Sequence, residues 1–298
     1  MLLILTNPTK IDRKSASEII VTYDMGTKDY NLRDVSGIVV LGSKAYISTA
    51  LISLLSSNNI PLVISTKRGV SVLSANGITL LSEVREKQFR MSEQEKEEVA
   101  REFITAKFKG LSNLLKYYKV DPPDLVEGKD LLTWEANNSR RFWERVFTLF
   151  PPEVAKVGRK PTSPDPFNRA LSLAYSLLYA VCNRALLSFG FDPTYGVMHK
   201  TRFSTPLTFD FSEMFKPVAV HAVIRAYKKG LKVVDGELDK DSVRKVSEEF
   251  FNIMTKKQRD ESVHKAVFTR ARKLAMYLRK GDKTIRYTFI YDPRSLVS

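Results

Sequence analysis

Cysteine is almost absent from this sequence of 298 residues, in which Cys182 is the single example. One cysteine excludes an intramolecular disulfide and a cysteine-rich zinc site, so we expect a protein of a reducing, cytoplasmic interior. Long apolar runs are missing as well. The opening MLLIL ends at Thr6-Asn7-Pro8, too short for a signal peptide or a membrane span, and no uninterrupted run of about 18 apolar residues follows. The sequence therefore predicts no membrane insertion.

Acidic residues are too few to balance the basic ones. The 48 Lys and Arg against 33 Asp and Glu give a formal net charge of +15. Residues 1–82 carry an excess of three positive charges and the remainder an excess of twelve. This imbalance favours a polyanionic partner such as nucleic acid, bound mainly by the second part of the chain. An anionic membrane surface, or a basic protein that is merely soluble, remains an alternative.

The pattern of apolar residues predicts an α+β fold with two domains. We expect residues 1–84 to form a β-rich, β-sandwich-like domain and residues 85–298 to form a larger all-α domain. Strands are expected at Leu2–Leu5, Glu18–Tyr23, Gly37–Leu41 and Pro61–Ser65, a hairpin at Val70–Leu73 and Ile78–Leu81 around Asn76-Gly77, and one helix at Ser43–Ser57.

Long amphipathic helices dominate the second domain. Ser92 and Glu95 form a capping-box pattern in front of an apolar stripe of 3.6-residue period. Pro217 is expected to kink the helix that contains it, and residues 151–166 to form an exposed loop. Further helices are predicted at Leu131–Phe150, Phe167–Phe189, Thr208–Lys229, Ser242–Lys256 and Glu261–Lys280.

Glu135 lies on the apolar face of its predicted helix, which it shares with Asn138, Phe142 and Val146. A carboxylate turned inward costs several kcal/mol unless a cation or hydrogen bonds compensate. Glu135 therefore needs a partner, and the bland interpretation is an arginine from another helix.

Asp210 and Glu213 are three residues apart in the segment LTFDFSEMF, and His199 precedes Asp210 by 11 residues. On one helix the two carboxylates would share a face and repel each other unless a cation lay between them. An imidazole with carboxylate oxygens suits Mn²⁺ or Mg²⁺. Two solvated acids at a helix start remain the alternative. We expect His221 and His264 to be structural.

A family resemblance rests on two passages, DPFNRALSLAYSLLYAVCNRALLSFGFDPTYGVMH and LTFDFSEMFKP. Together with Glu135, which lies 64 residues before His199, they resemble the motifs of the CRISPR-associated integrase family of spacer acquisition. The resemblance spans nearly the whole chain, and its combined motifs are specific. The departures are Lys216 in place of the usual Arg, Phe211 in place of Leu, Pro206 in place of Ser, and Asn137 after the glutamate.

The resemblance implies a metal-dependent DNA endonuclease and integrase. Glu135, His199 and Glu213 would bind Mg²⁺ or Mn²⁺, and Asp210 would be a further ligand or a carboxylate behind the ligands. It also implies a homodimer through the N-terminal β domain and assembly with a small ferredoxin-like partner protein. In the implied reaction the 3′-hydroxyl of a spacer DNA attacks a phosphodiester of the repeat, and water in its place gives hydrolysis.

Basic residues of the second domain are candidates to hold the DNA backbone without reading its sequence. They are Arg140, Arg141, Arg145, Lys256, Lys257, Arg259, Lys265, Arg270, Arg272 and Lys273. Two other functions remain open. One is a non-catalytic architectural binder of duplex or branched DNA, with structural acids. The other is a helical regulator, which requires a recognition helix that the sequence does not reveal.

Overall fold

The computed structural model describes residues 2–33, 35, 37–42, 44–58, 60–66, 69–73, 82–199 and 205–297. The chain divides into two compact units, residues 1–82 and 83–298. The first unit is rich in strands and the second is mainly helical, which confirms the predicted fold class.

The described residues of the first unit form two four-stranded sheets and one helix. Their bounds are β1 Leu2–Thr6, β2 Lys10–Arg13, β3 Glu18–Tyr23, β4 Gly26–Asn31, β5 Gly37–Leu41, β6 Tyr46–Ile47, α1 Thr49–Ser57, β7 Leu62–Thr66 and β8 Gly69–Leu73. One sheet has the order β1-β5-β7-β8, parallel except for β8, and the other has the order β4-β3-β2-β6. Apolar side chains of both sheets and of α1 share one core.

The helix predicted from Ser43 is shorter in the structure. It begins at Thr49 because the Ser48 hydroxyl accepts the N–H of Leu51 at 3.1 Å and caps the first turn. Tyr46 and Ile47 instead pair in parallel with β2. The first strand of the predicted hairpin, Val70–Leu73, belongs to β8, which pairs antiparallel with β7. The turn and second strand of that hairpin, residues 74–81, lie outside the described residues.

The second unit is built from nine α-helices within its described residues. Their bounds are α2 Ser82–Phe89, α3 Glu93–Tyr117, α4 Leu131–Phe147, α5 Pro152–Val157, α6 Pro166–Ser188, α7 Pro206–Ser212, α8 Lys216–Tyr227, α9 Lys240–Thr255 and α10 Val263–Lys280. The capping box is present, since Ser92 and Glu95 bond each other's backbone N–H. The expected loop at 151–166 contains α5, which starts with Pro152.

The helix predicted over 208–229 is broken at Glu213. Residues Glu213–Phe215 form a 3₁₀ turn between α7 and α8. Pro217 has no N–H to donate to the Glu213 carbonyl, which accepts the N–H of Lys216 instead. The predicted kink is therefore a short 3₁₀ segment. Because of it, the side chains of Glu213 and Asp210 point in different directions.

Five two-residue strands were not expected in the helical unit. They are β9 Val233–Val234, β10 Glu237–Leu238, β11 Lys257–Gln258, β12 Glu261–Ser262 and β13 Leu296–Val297. They form a hairpin and a small three-stranded sheet. Within the described residues, α6 alone has the length and composition of a membrane span, and 83% of that stretch is buried inside the protein.

Candidate active site

Glu135 and Glu213 meet at one lysine. The ammonium of Lys107, on α3, contacts Oε1 of Glu135 on α4 and lies 2.9 Å from Oε2 of Glu213 in the 3₁₀ turn. Ser139, one turn along α4, donates a hydrogen bond to Oε1 of Glu135 at 2.6 Å. The predicted inward partner of Glu135 is therefore present, and it is a lysine rather than an arginine.

Lys107 can contact Glu213 because α3 packs closely against the start of α8. Gly110 lies three residues after Lys107, and a Cβ built on it would come within 2.9 Å of Pro217 Cγ. Any side chain at this position would push apart the elements that carry Lys107 and Glu213.

A second cation holds the other oxygen of Glu213. Lys216 Nζ donates to Glu213 Oε1 at 2.5 Å. Burial by itself raises the pKa of Glu213, but the ammonium groups of Lys107 and Lys216 bring the pKa down to about 2. Burial likewise raises the pKa of Glu135, and Lys107 reverses this, so the net shift is downward. Both carboxylates are therefore ionised at neutral pH.

His199 and Asp210 form a separate pair. Nδ1 of His199 lies 2.5 Å from Oδ1 of Asp210, and this hydrogen bond raises the pKa of the imidazole above its usual value. Asp210 also accepts the backbone N–H groups of Val197, Met198 and His199 at 2.7, 3.0 and 3.2 Å. The oxygens of the Asp210 carboxylate thus accept hydrogen bonds from the loop that carries His199 and fix its conformation.

Gly196 allows the Asp210 carboxylate to lie close to the backbone of the loop that carries His199. A Cβ at residue 196 would lie 2.6 Å from the His199 carbonyl oxygen and 2.8 Å from Oδ2 of Asp210. These distances are shorter than real Cβ contacts, so a side chain there would displace the carboxylate or the loop. The glycine in the sequence motif is explained by this contact.

Gln88 of α2 holds the beginning of the same loop. Its side-chain amide donates to the carbonyl oxygens of Asp192 and Tyr195 at 2.8 and 2.7 Å and accepts the N–H of Asp192 at 2.9 Å. The side chain is buried. A glutamine that satisfies three backbone groups fixes the loop at its first end, as Asp210 fixes it at the second.

The four predicted site residues thus fall into two pairs, Glu135 with Glu213 and His199 with Asp210. The negative charge of Glu213 contributes to the raised pKa of His199, so the two pairs are electrostatically linked. Within the described ranges, no three His, Cys, Asp or Glu side chains lie close enough to hold one metal ion. Lys107 occupies the space between the glutamates.

The chemical types of these donor atoms nevertheless suit a divalent cation. Oε2 of Glu213 is buried and accepts no hydrogen bond from the described residues, although Lys107 lies near it. With Nδ1 of His199 bonded to Asp210, the lone pair of Nε2 is left for a ligand. Two carboxylates and one imidazole oriented by a carboxylate behind it are a ligand set that Mn²⁺ and Mg²⁺ accept.

A cavity of about 240 Å³ opens beside Glu135. Three cationic side chains reach its lining, Lys107, Lys216 and Arg159, together with the rings of Tyr175 and Tyr179. Burial raises the pKa of Tyr179 to about 12, so its hydroxyl stays neutral at neutral pH. The cavity offers an anionic substrate a cationic approach to the acidic pair.

Asn168 of the motif and the histidines His221 and His264 contact neighbouring groups of the fold. The buried Asn168 accepts hydrogen bonds from Arg159 and from the backbone N–H of Lys160, and donates to the Gly158 carbonyl, so it fixes the loop before α6. His221 lies 2.6 Å from the Tyr291 hydroxyl inside the core, and His264 packs against Phe268.

The predicted DNA-binding residues lie on α4, on α10, and in or beside β11. Arg140 and Arg145 are exposed on α4, the helix of Glu135, and Arg141 lines a surface groove with Arg145. Arg270 is engaged within the protein, with Glu261 at 3.0 Å and the Thr288 carbonyl at 2.9 Å, and is poorly placed for phosphate. Exposed positions on α10 and around β11 are Lys257, Arg259, Lys265 and Arg272, whereas Lys256 and Lys273 are half-buried.

Sequence reasoning missed Lys107, Ser139 and Gln88. Lys107 follows Phe103 by four residues and Ile104 by three, so it occupies the apolar stripe of α3. A lysine in a buried stripe has the same need for a partner as Glu135, and that was the available signal. Gln88 gave no comparable signal, because its partners are backbone atoms about a hundred residues away.

Comparison with protein families matches residues 2–250 to the model of the CRISPR associated protein Cas1 family. The chain belongs to the Cas1 family. The match contains all four predicted site residues.

One relative is CRISPR-associated endonuclease Cas1 2 of Saccharolobus solfataricus, 32% identical over 192 residues, which are 61% of this chain and 62% of that protein. The chain thus spans less than two thirds of that curated relative. A casposase bound to integration product has a TM-score of 0.83 at 20% identity, with 100% and 96% of the two chains covered. A Cas1 protein of Thermotoga maritima has a TM-score of 0.81 at 20% identity, with 94% and 97% covered. These two structures share the fold.

Proposed function

We propose that this protein is a divalent-metal-dependent DNA endonuclease and integrase of CRISPR spacer acquisition. The observation that carries the proposal is the pair of ionised glutamates at one lysine, electrostatically linked to a histidine whose ring is oriented by a carboxylate. Family membership supports it, since the similar relative is named an endonuclease and the similar casposase is bound to integration product.

Glu135, Glu213 and the Nε2 atom of His199 would hold Mg²⁺ or Mn²⁺. Bound there, the ion would lower the pKa of the attacking hydroxyl or water and offset charge that develops on the phosphate. Asp210 would not be a ligand, because its oxygens already accept four hydrogen bonds from the His199 loop. Its role would be to keep His199 in the tautomer that presents Nε2.

The side chains of the cavity would bind and orient the DNA. Lys216 and Arg159 face the cavity beside Glu135 and would attract the phosphate next to the scissile bond. The 3′-hydroxyl of an incoming spacer, or water, would attack that phosphate in line with the leaving 3′-oxygen of the repeat strand. In strand transfer one phosphodiester forms as another breaks, so no external energy source is required.

Backbone contacts to the duplex would come from exposed basic residues. Arg140 and Arg145 are the best placed, because α4 also carries Glu135. Such contacts fix the position of DNA and carry no sequence information. We also propose a homodimer through the strand-rich unit, and a small ferredoxin-like adaptation protein as a partner.

The direct test uses cleavage and strand transfer on a branched DNA with Mn²⁺. Activity is expected to disappear with EDTA and to fall in Glu213→Gln by more than the roughly 10–100-fold cost of losing an outer partner of a metal ligand. Glu249→Gln is the matched control, since Glu249 is another buried glutamate between two cations, Arg225 and Lys229. Activity that survives both EDTA and Glu213→Gln would refute the proposal.

A non-catalytic, architectural DNA binder is the second candidate. The observation in its favour is that Lys107 and Lys216 already neutralise the two glutamates. On that view, Glu213→Gln would lower stability and leave DNA binding independent of divalent ions. Binding of Mn²⁺ to the free protein with an affinity that Glu213→Gln abolishes would exclude it.

A further inference from the structure

Lys107 sits where a cation shared by Glu135 and Glu213 has to sit. Its ammonium touches both carboxylates, and its side chain is 8% exposed. Lys216 differs, because of the two glutamates it contacts Glu213 alone, at the oxygen that Lys107 leaves free, and it also lies over the ring of Tyr175 at 5.3 Å. Of the two lysines, Lys107 is the one that stands between the proposed ligands.

We propose that Lys107 is a placeholder for the divalent ion. Its ammonium keeps Glu135 and Glu213 together in the metal-free protein and leaves the position between them when the ion binds. This inference rests on the metal site of the proposed function and adds a residue to it.

Charge balance supports the exchange. Two carboxylates face two ammonium groups, so the buried cluster is locally neutral without metal. A divalent ion added to this cluster would leave two uncompensated positive charges in a largely buried place, which is unfavourable. Moving one ammonium away reduces that excess. Removing the ammonium without supplying metal leaves two like charges that repel.

Space for the displaced side chain is available. Lys107 lines the cavity of about 240 Å³ beside Glu135, and a lysine has four rotatable side-chain bonds, so its ammonium can swing into the cavity. There it would meet the phosphate of a bound DNA. The exchange therefore frees a cation for the substrate when the ion arrives.

The test measures Mn²⁺ affinity of the full chain by titration calorimetry, and thermal unfolding with and without Mn²⁺. Lys107→Met is expected to bind Mn²⁺ about tenfold more tightly than the unaltered protein, a change of about 1.4 kcal/mol. Without metal, the melting temperature of Lys107→Met should be lower than that of the unaltered protein, and Mn²⁺ should raise it by more than it raises that of the unaltered protein. Lys107→Gln keeps amide donors for the glutamates without the charge, and should show the same gain if the methionine variant does not fold.

Lys229→Met is the control, because Lys229 is one of two cations on the remote buried Glu249. It should leave Mn²⁺ affinity unchanged. If the unaltered protein binds Mn²⁺ and both Lys107 variants bind it no more tightly, the placeholder role is wrong and the metal site stands. If the unaltered protein binds no Mn²⁺, the metal site of the proposed function fails, and the placeholder role fails with it.

Discussion

The imidazole of His199 is held by the carboxylate of Asp210, whose Oδ1 lies 2.5 Å from Nδ1 of the ring. Asp210 is 1% exposed and accepts three backbone N–H groups of the same loop. One carboxylate thus sets the loop conformation, the ring orientation and the tautomer of His199. The arrangement matches the carboxylate–histidine pairs that lie behind many metal ions in proteins.

Asp210→Asn is therefore expected to weaken both DNA cleavage and Mn²⁺ binding by about 10–100-fold. The amide would place N–H donors opposite N–H groups of the loop, so His199 would lose its fixed orientation. Kinetics of cleavage and calorimetry with Mn²⁺ measure the two effects. Asp192→Asn serves as the control, because Asp192 lies in the same loop and its side chain accepts hydrogen bonds from Thr194. Unchanged Mn²⁺ affinity in Asp210→Asn would contradict the positioning role.

Much of the fold was predictable because local patterns determine it. The strands at 18–23 and 37–41 and the capping box at Ser92 follow from apolar alternation and from one side chain bonding its own backbone. The helix over 208–229 was predicted too long, since periodicity alone does not reveal that Pro217 forces a 3₁₀ turn at Glu213.

The candidate site was predictable only in part. Glu135 stood out as a charge in an apolar stripe, and the motif spacing selected His199 and Glu213. The sequence did not reveal that Asp210 bonds to the His199 loop while Glu213 contacts Lys107. That difference depends on the 3₁₀ turn, which points the two side chains in different directions. The part played by Lys107 depends on the approach of three separate elements, which no local pattern records.

Gln88→Ala tests the other support of the His199 loop. The substitution leaves two carbonyl oxygens and one N–H of the loop without their partner, at a cost of about 1–3 kcal/mol for each group that remains buried. Thermal unfolding should show the loss of stability, and Mn²⁺ affinity should fall with it. Gln94→Ala is the control, since Gln94 makes a weak, exposed contact with Glu98 at 3.5 Å. Full Mn²⁺ affinity in Gln88→Ala would show that the loop keeps its conformation without this glutamine.

From the burial of His221 we predict that the free energy of unfolding depends on pH. Burial lowers the pKa of His221 to about 3, against 6.5 for an ordinary histidine. Below pH 6.5 the unfolded chain binds a proton that folded His221 does not, so stability falls as the pH drops from 6.5 towards 3. The slope reaches about 1.4 kcal/mol per pH unit. In His221→Gln this contribution should vanish.

Urea unfolding at pH 7, 6 and 5 measures this effect. Tryptophan fluorescence is a suitable signal, because Trp134 and Trp143 both lie on α4 and report on the helical unit. The comparison of slopes isolates His221, since every other titrating group is common to the two proteins. Parallel pH profiles for the unaltered protein and His221→Gln would show that His221 takes up a proton in the folded state as well.

Replacing Arg140 and Arg145 tests whether the DNA duplex lies along α4. Each phosphate contact that is lost should reduce the slope of log affinity against log salt by about 0.9, so replacing both arginines by alanine should reduce it by about two. The control is Arg244→Ala with Lys245→Ala on α9, which removes the same charge from residues already paired with Asp241. Fluorescence anisotropy of a labelled duplex from 50 to 200 mM salt, with EDTA present to prevent cleavage, gives both slopes. Equal slopes for the two double variants would place the DNA away from α4, because a general loss of positive charge affects both proteins alike and only direct contacts separate them.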